Sequence, residues 1–298
     1  MINFDKVQKW FGSFDSSLLA YLFALPQLAV ISIFFIYPTA LSLRSSLFRS
    51  VPFRGLVEFI GIRNFIDLLT SSSYHQSLMV SAIFALSVTI IGVGVSLVLA
   101  TLTDRIAKFA GFYRAALIWP YAISPTIAGV VWGFLFHPTY GVVSYYSPIR
   151  IDWLSNGWQA LFLLVVAATW RQLGYNIAFY VAGLQSIPQS LEEAAVVDGA
   201  NGWQRFWRIT FPMLTPITFF LLTMNFIYAS FRTFGMVHAL TGGGPAGFTN
   251  ILIYKVYTNG FIDLKLGYSA AQSVMLLVFV AGISWFQFRY TERRVAYR

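Results

Sequence analysis

The sequence predicts an all-α integral membrane protein, a bundle of six transmembrane helices carrying one structured cytoplasmic loop. Composition is the first observation behind that prediction. The 298-residue chain is 57% hydrophobic and 10% charged, with a mean hydropathy of +0.67, whereas soluble domains carry about 25% charged residues. So few polar side chains cannot cover an exterior, and lipid must do so instead. The second observation is the recurrence of apolar runs of about 20 residues or more, the length needed to cross hydrocarbon. They occupy 18–43, 76–103, 112–136, 158–184, 211–234 and 268–288, and only Arg114, at the start of the third run, Arg171 and Arg232 carry charge within them. The third is the placement of the remaining cations. The net charge of +9 is scattered among loops and tails rather than gathered as a nucleic-acid stripe, which leaves a lipid bilayer as the solvent and no nucleic-acid partner.

Each element follows in order. In residues 1–17, Phe4, Val7, Trp10, Phe11 and Phe14 recur at helical spacing, as in a short cytoplasmic or interfacial helix lying among headgroups. The apolar run after it exceeds the ~7–15 residues of a signal-peptide core, so it reads as a retained anchor that opens a membrane domain over 18–288. Pro26, Pro38, Pro120, Pro125 and Pro216 fall inside spans and predict kinks. Gly129 and Gly133 form a GxxxG on the third span, a spacing that permits close helix approach. An even number of spans puts both termini on one side. The tail 289–298 carries Arg289, Arg293, Arg294 and Arg298 against the single acid Glu292, which makes that side cytoplasmic. Arg105, Lys108, Arg205 and Arg208 agree, while Arg44, Arg49, Arg54 and Arg63 in the first outer loop run against the rule. The outer loops 44–75, 137–157 and 235–267 carry turn chemistry such as Gly242-Gly243-Gly244-Pro245. No Gly-Lys-Ser/Thr follows those glycines, which argues against a phosphate loop. His75, His137 and His238 are isolated from one another in sequence and Cys is absent, so no metal site and no disulfide framework is expected.

The most informative stretch is SIPQSLEEAAVVDGANGWQRFWRITFPMLTP, residues 186–216. Ser190 followed by Glu193 has the spacing of a capping box, Leu191, Ala194, Ala195 and Val197 supply a small apolar surface, and Gly199 stops the helix. After an Asn201-Gly202 turn, Trp203, Phe206, Trp207 and Ile209 line a second helical piece that Pro212 is expected to end. Such a helix-turn-helix fits a knob that enters a groove on a soluble partner, and it fits an ordinary amphipathic connector equally well. Spacing alone leaves both open.

The same segment resembles the EAA loop, here 186–212, of ABC importer membrane subunits. That family's pattern is Glu-Ala-Ala, three residues, Gly, nine residues, then Ile-x-Leu-Pro. This chain reads Glu193-Ala194-Ala195, Gly199, and Ile209-Thr210-Phe211-Pro212, with Phe211 in place of the usual Leu. Three phrases, WPYAISPTIAGVVW, YNIAFYVAGLQSIPQSLEEAAVVDGA and SAAQSVMLLVFVAGISWFQFRY, extend the resemblance to the carbohydrate class of maltose and glycerophosphate type. The resemblance implies a type I permease bundle in the bacterial inner membrane and a coupling helix seated on an ATPase through Glu193, Ala194, Ala195, Asp198, Gly199, Ile209 and Pro212. It further implies a second homologous permease subunit, a homodimeric ATPase that binds the ATP and Mg, and a periplasmic solute-binding protein. No catalysis and no cofactor are expected of this chain itself.

A charge near the bilayer centre costs at least about 2.5 kcal/mol and belongs against protein or water. Arg171, Gln172 and Tyr175 share an arc with Ala168 on the fourth span, and Asn225, Tyr228 and Arg232 share a face on the fifth. The two polar faces converge on one path, which marks Arg171, Gln172, Tyr175, Asn225 and Arg232 as substrate-pathway residues; in maltose-type relatives the solute contacts lie on these two helices, and the resemblance implies that Arg171, Gln172 and Tyr175 correspond, with Asn225 an approximate match. No Asp or Glu lies in any span, so an anionic solute such as sn-glycerol-3-phosphate or a glycerophosphodiester would supply the missing partner, its phosphate matching the arginine fork. The blander reading pairs Arg171 with backbone carbonyls and lets Arg232 snorkel outward. A neutral sugar or oligosaccharide is the alternative solute. An ion-coupled secondary transporter is a further alternative, disfavoured by the lack of intramembrane acids.

Overall fold

The computed structural model describes residues 17–50, 57–104, 110–147 and 152–291. The expected interfacial helix, Arg54, Arg105, Lys108 and the tail from Glu292 onward lie outside them. Within them the chain is overwhelmingly helical, and its one sheet is a hairpin of β1 (Phe48–Ser50) and β2 (Val57–Phe59), antiparallel with Arg49 opposite Glu58.

The first span is a continuous helix, α1, running Ser17–Ile31, through a π-helical turn Ser32–Ile36, to Tyr37–Ser45. Pro38 explains the turn: it has no N–H to donate, and the wider i→i+5 spacing absorbs the missing bond. A short helix α2 (Arg63–Thr70) precedes the long second span α3 (Ser72–Asp104). After a short helix α6 (Val142–Tyr146), the fourth span is α7 (Gly157–Gln185), which packs along α3. The fifth, α10 (Phe211–Phe231), crosses both, and the last, α13 (Leu266–Thr291), closes the bundle.

The third span departs from expectation. Instead of one kinked helix over 112–136 it is two, α4 (Ala110–Ile118, extended by a 3-10 turn Trp119–Ala122) and α5 (Pro125–Leu135), bent by 108° at Ile123-Ser124. Proline disfavours the helical region for the residue before it, and Ser124 is extended at φ −63°, ψ 149°. The Ser124 hydroxyl then caps α5 by accepting from the Ile127 N–H. The GxxxG does bring helices together: a Cβ on Gly129 would stand 2.8 Å from the Met236 carbonyl, so α5 packs tightly on α11 (Phe234–Leu240). Much of the expected outer loop 235–267 is therefore ordered helix, including α12 (Leu252–Tyr257).

Four described helices are long and apolar enough to cross a membrane, and the bent pair makes five. Helix α7 misses that standard of apolarity although its 29 residues reach about 43 Å at 1.5 Å per residue. The reason lies inside it: Gln172 and Asn176 are buried against neighbouring helices, where polarity faces protein and not lipid. At the other extreme, none of the residues of α1 from Phe23 to Ser45 is buried, and its Tyr37–Ser45 end packs on α13.

Candidate functional site: a docking loop and an interhelical cavity

The loop forms helix α8 (Gln189–Val197), a turn, a short helix α9 (Gly202–Arg205), and a π-helical turn Phe206–Thr210 that runs directly into α10. Two local expectations are corrected. Ser190 and Glu193 make no capping box, because α8 starts at Gln189 behind Pro188 and the Glu193 carboxylate accepts from the Gln189 side chain at 2.8 Å. Pro212 does not end the second helix either. It occupies the first turn of α10, with the π-turn before it absorbing its missing N–H. The box that does form is at Asn201: Asn201 Oδ1 accepts from the Gln204 N–H, and Gln204 Oε1 accepts from the Asn201 N–H, both at 2.9 Å. An Asn-x-x-Gln pattern was there to be read, hidden by treating Asn201-Gly202 as a simple turn.

Gly199 does stop α8. Its φ of +76° is a left-handed conformation, and the Ala200 N–H reaches the Ala195 carbonyl while the Gly199 N–H reaches that of Val196, the paired bonds of a Schellman ending. Ala195 is turned inward; Glu193, Ala194, Asp198, Gly199 and Pro212 are exposed, and Ile209 is half-buried. Val197 is 87% exposed and Trp203 71%, an apolar surface far from the helices that bury the rest of the core.

At mid-bundle the cavity follows from the break in the third span. Ile123 sits between two helices, so its carbonyl has no helical N–H to accept, and in an apolar interior that group must find a donor. Arg171 Nε supplies it at 2.6 Å. Held by that bond, the guanidinium carbon lies 5.4 Å from the Tyr121 ring centre and 5.6 Å from that of Tyr228, within cation–π range. Around it opens a cavity of about 400 Å³ lined by Arg171, Gln172 and Tyr175 from α7, Tyr228 and Arg232 from α10 and its end, and Tyr121 from the break. Gln172 is 4% exposed, and its Oε1 accepts no hydrogen bond. The only ion pair among the described residues is Arg63 with Asp67, far along the chain from both cavity arginines.

The structure thus gathers four of the five expected pathway residues. It does not bring Asn225 with them. Asn225 is fully buried and exchanges two hydrogen bonds with Asn176, Asn225 Nδ2 to Asn176 Oδ1 at 2.7 Å and Asn176 Nδ2 to Asn225 Oδ1 at 3.2 Å. That reciprocal amide pair bolts α7 to α10. Sequence spacing placed Asn225 one helical turn from Tyr228 but carried no sign that Asn176 would turn to meet it. Tyr121 was missed because its approach depends on the 108° bend.

Residues 72–297 match the family described as binding-protein-dependent transport system inner membrane component. The chain belongs to this family. It is a multi-pass inner-membrane permease of a binding-protein-dependent ABC importer. The permease is 48% identical over 287 residues to the sn-glycerol-3-phosphate transport system permease protein UgpA of Rhizobium meliloti (strain 1021), covering 95% of this chain and 98% of that protein. The same identity and coverage hold for UgpA of Agrobacterium fabrum (strain C58 / ATCC 33970), and UgpA of Brucella abortus biovar 1 (strain 9-941) is 45% identical over 288 residues, covering 96% and 98%. In fold, the permease is similar to a chain of a bacterial ABC transporter that imports the acidic polysaccharide alginate, with a TM-score of 0.82 at 20% identity over 97% of this chain and 99% of that one.

Proposed function

We propose that this permease passes sn-glycerol-3-phosphate, or a closely related glycerophosphodiester, through the cavity at Arg171, and that it does so as one half of a pathway completed by a second permease subunit. The observation that carries the reading is a cavity holding two arginines, Arg171 and Arg232, and no lining carboxylate, in a chain whose relatives are named for an anionic solute. A guanidinium whose Nε is already tied to Ile123 still presents its outer N–H groups as a fork for phosphate oxygens. Gln172 would add a polar contact for the glycerol hydroxyls.

The exposed face of α8 and α9 around Glu193 and Trp203 is the surface by which a cytoplasmic ATPase pair would drive the cycle. ATP and Mg belong to that pair, and this chain hydrolyses nothing. Both termini then lie in the cytoplasm, with 1–17 and 289–298 flanking the membrane domain 18–288, and a periplasmic binding protein meets the opposite end. Helix α1, which buries nothing against its own bundle between Phe23 and Ile36, is the element best placed to pack on the companion subunit.

The test is uptake of radiolabelled glycerol-3-phosphate and of maltose by the complete transporter in proteoliposomes. Glycerol-3-phosphate transport that falls at least tenfold in Arg171→Gln, the scale of losing one charged hydrogen bond at about 1.5–3 kcal/mol, supports the reading. Maltose uptake in its place would install the neutral-sugar alternative.

A further inference from the structure

A second cavity, larger than the first at about 580 Å³, lies at the end of the bundle remote from the docking loop. It sits where α2 meets the start of α3, α12 and the start of α13. Its lining residues are mostly polar and include three cations, Arg49, Lys255 and Lys265, against one acid, Asp67. That acid is already taken, since Asp67 Oδ1 accepts from Arg63 Nε at 3.2 Å.

Lys255 is the unusual member. It is 7% exposed, in a residue type that is almost never buried without a counter-charge. Its ammonium, which has three protons to donate, has one hydrogen bond, to Ser73 Oγ at 2.7 Å. Burial holds its pKa below the ordinary lysine value, offset in part by Asp263. The neighbouring amide of Asn259 donates to Gln272 at 3.0 Å. Asn64 spends its amide on the Ser46 and Phe48 carbonyls, which ties the start of β1 to α2. The chain therefore lines one pocket with three cations, and no carboxylate hydrogen-bonds its buried ammonium.

We infer that the cavity at Lys255, Arg49 and Lys265 is a phosphate-binding site, distinct from the one at Arg171, which holds the phosphate group of a solute or of a lipid headgroup at the far end of the bundle. The two sources share one chemistry, a tetrahedral oxyanion that takes the two free ammonium protons of Lys255 while Arg49 and Lys265 close from the rim. If the source is the solute, the site is a waiting position on the way to Arg171. That version rests on the function proposed above, and the binding of inorganic phosphate does not.

The test is equilibrium dialysis of radiolabelled inorganic phosphate against the full chain in dodecyl maltoside, at constant ionic strength set with chloride. Saturable phosphate binding is expected to persist in Arg171→Gln, in which the other candidate site is disabled, and to weaken at least tenfold when Lys255→Gln is added to it. Lys265→Gln changes an exposed side chain and serves as the variant that keeps the fold; it is expected to weaken binding severalfold. Competition by glycerol-3-phosphate identifies the solute as the source, and competition by phosphatidylglycerol identifies the headgroup. Either result supports the site. Absence of saturable binding by wild type, undiminished binding when Lys255→Gln and Lys265→Gln are made in the Arg171→Gln background, or complete loss of binding in Arg171→Gln alone would each overturn it. The last outcome would place the only phosphate in the Arg171 cavity and leave the proposed function standing.

Discussion

The loop from α8 to Pro212 and the Arg171 cavity handle their awkward side chains in opposite ways. The loop ties down its backbone at its turn, through the Schellman bonds after α8 and the Asn201–Gln204 box, and leaves Val197 and Trp203 in the open. The cavity keeps its aromatic rings packed, Tyr121 on Tyr175 at 5.4 Å and Tyr175 on Phe179 at 4.8 Å, and leaves polar capacity unspent at Gln172 and Arg171. A surface that advertises hydrophobic area on a rigid backbone suits a protein partner. A pocket that offers hydrogen-bond donors within a rigid aromatic wall suits a small polar one.

The comparison breaks most visibly at Glu193. Replacing it with Lys reverses a charge on the exposed face of α8 and deletes the acceptor for Gln189, a cost of about 2–5 kcal/mol if a partner buries that face. Retention of the ATPase on affinity-purified permease should then fall by roughly two orders of magnitude while the amount inserted in the membrane is unchanged. Full retention would show that the loop is only a connector.

Next in size is the junction that makes the cavity. A Cβ on Gly174 would stand 2.6 Å from the Ile118 carbonyl and 2.8 Å from its Cα, backbone atoms that cannot swing away. Gly174→Val should therefore push α4 off α7 and destabilise the bundle by about 1–3 kcal/mol, the usual cost of overpacking, read as a lowered midpoint in detergent unfolding. Because the Ile123 carbonyl moves with α4, the same variant should lose solute affinity, whereas Gly282→Val, at a position with open space, should change neither.

These two sites also differ in how far the sequence revealed them. The loop was legible because its determinants are local: a glycine at the right offset stops a helix whatever surrounds it, and the spacing of Glu193, Gly199 and Pro212 survives projection onto one dimension. Its errors were local too, a capping box assigned to Ser190 when Asn201 carries it. The cavity was legible only as faces of single helices. Arg171, Gln172 and Tyr175 could be grouped by period on α7, but their partner Tyr121 is delivered by a bend that Pro125 allows without fixing its angle. Asn225 shows the limit of periodicity most clearly, since a residue on the right face can still be claimed by a neighbour on another helix.

That claim gives a third, smaller effect. Asn225→Leu leaves Asn176 without its partner, and interhelical hydrogen bonds in membranes are worth about 0.6–1.7 kcal/mol. The unfolding midpoint should drop accordingly with transport affinity unchanged, and Asn176→Leu combined with Asn225→Leu should recover part of the loss, because no buried amide is then left unpaired. A selective fall in solute affinity at normal stability would return Asn225 to the pathway.

The smallest effect sharpens the loop side. Gln204→Ala removes one arm of the box on Asn201, worth about 0.3–1.5 kcal/mol to the start of α9. The global unfolding midpoint should barely move, since α9 is a four-residue helix at the edge of the bundle. Hydrogen exchange at the Asn201 N–H should rise severalfold instead, and ATPase retention should weaken only slightly, because the Asn201 carboxamide still holds the Gln204 N–H. Asn201→Ala removes the other arm, and with it the acceptor for that N–H, so it should loosen the turn further. If both variants left exchange and retention untouched, the rigidity of the loop would have to come from the aromatic packing of Trp203, Trp207 and Phe211, whose ring centres lie 5.6 and 5.1 Å apart in sequence. Docking would then depend on Trp207, half-exposed between them, more than on the cap.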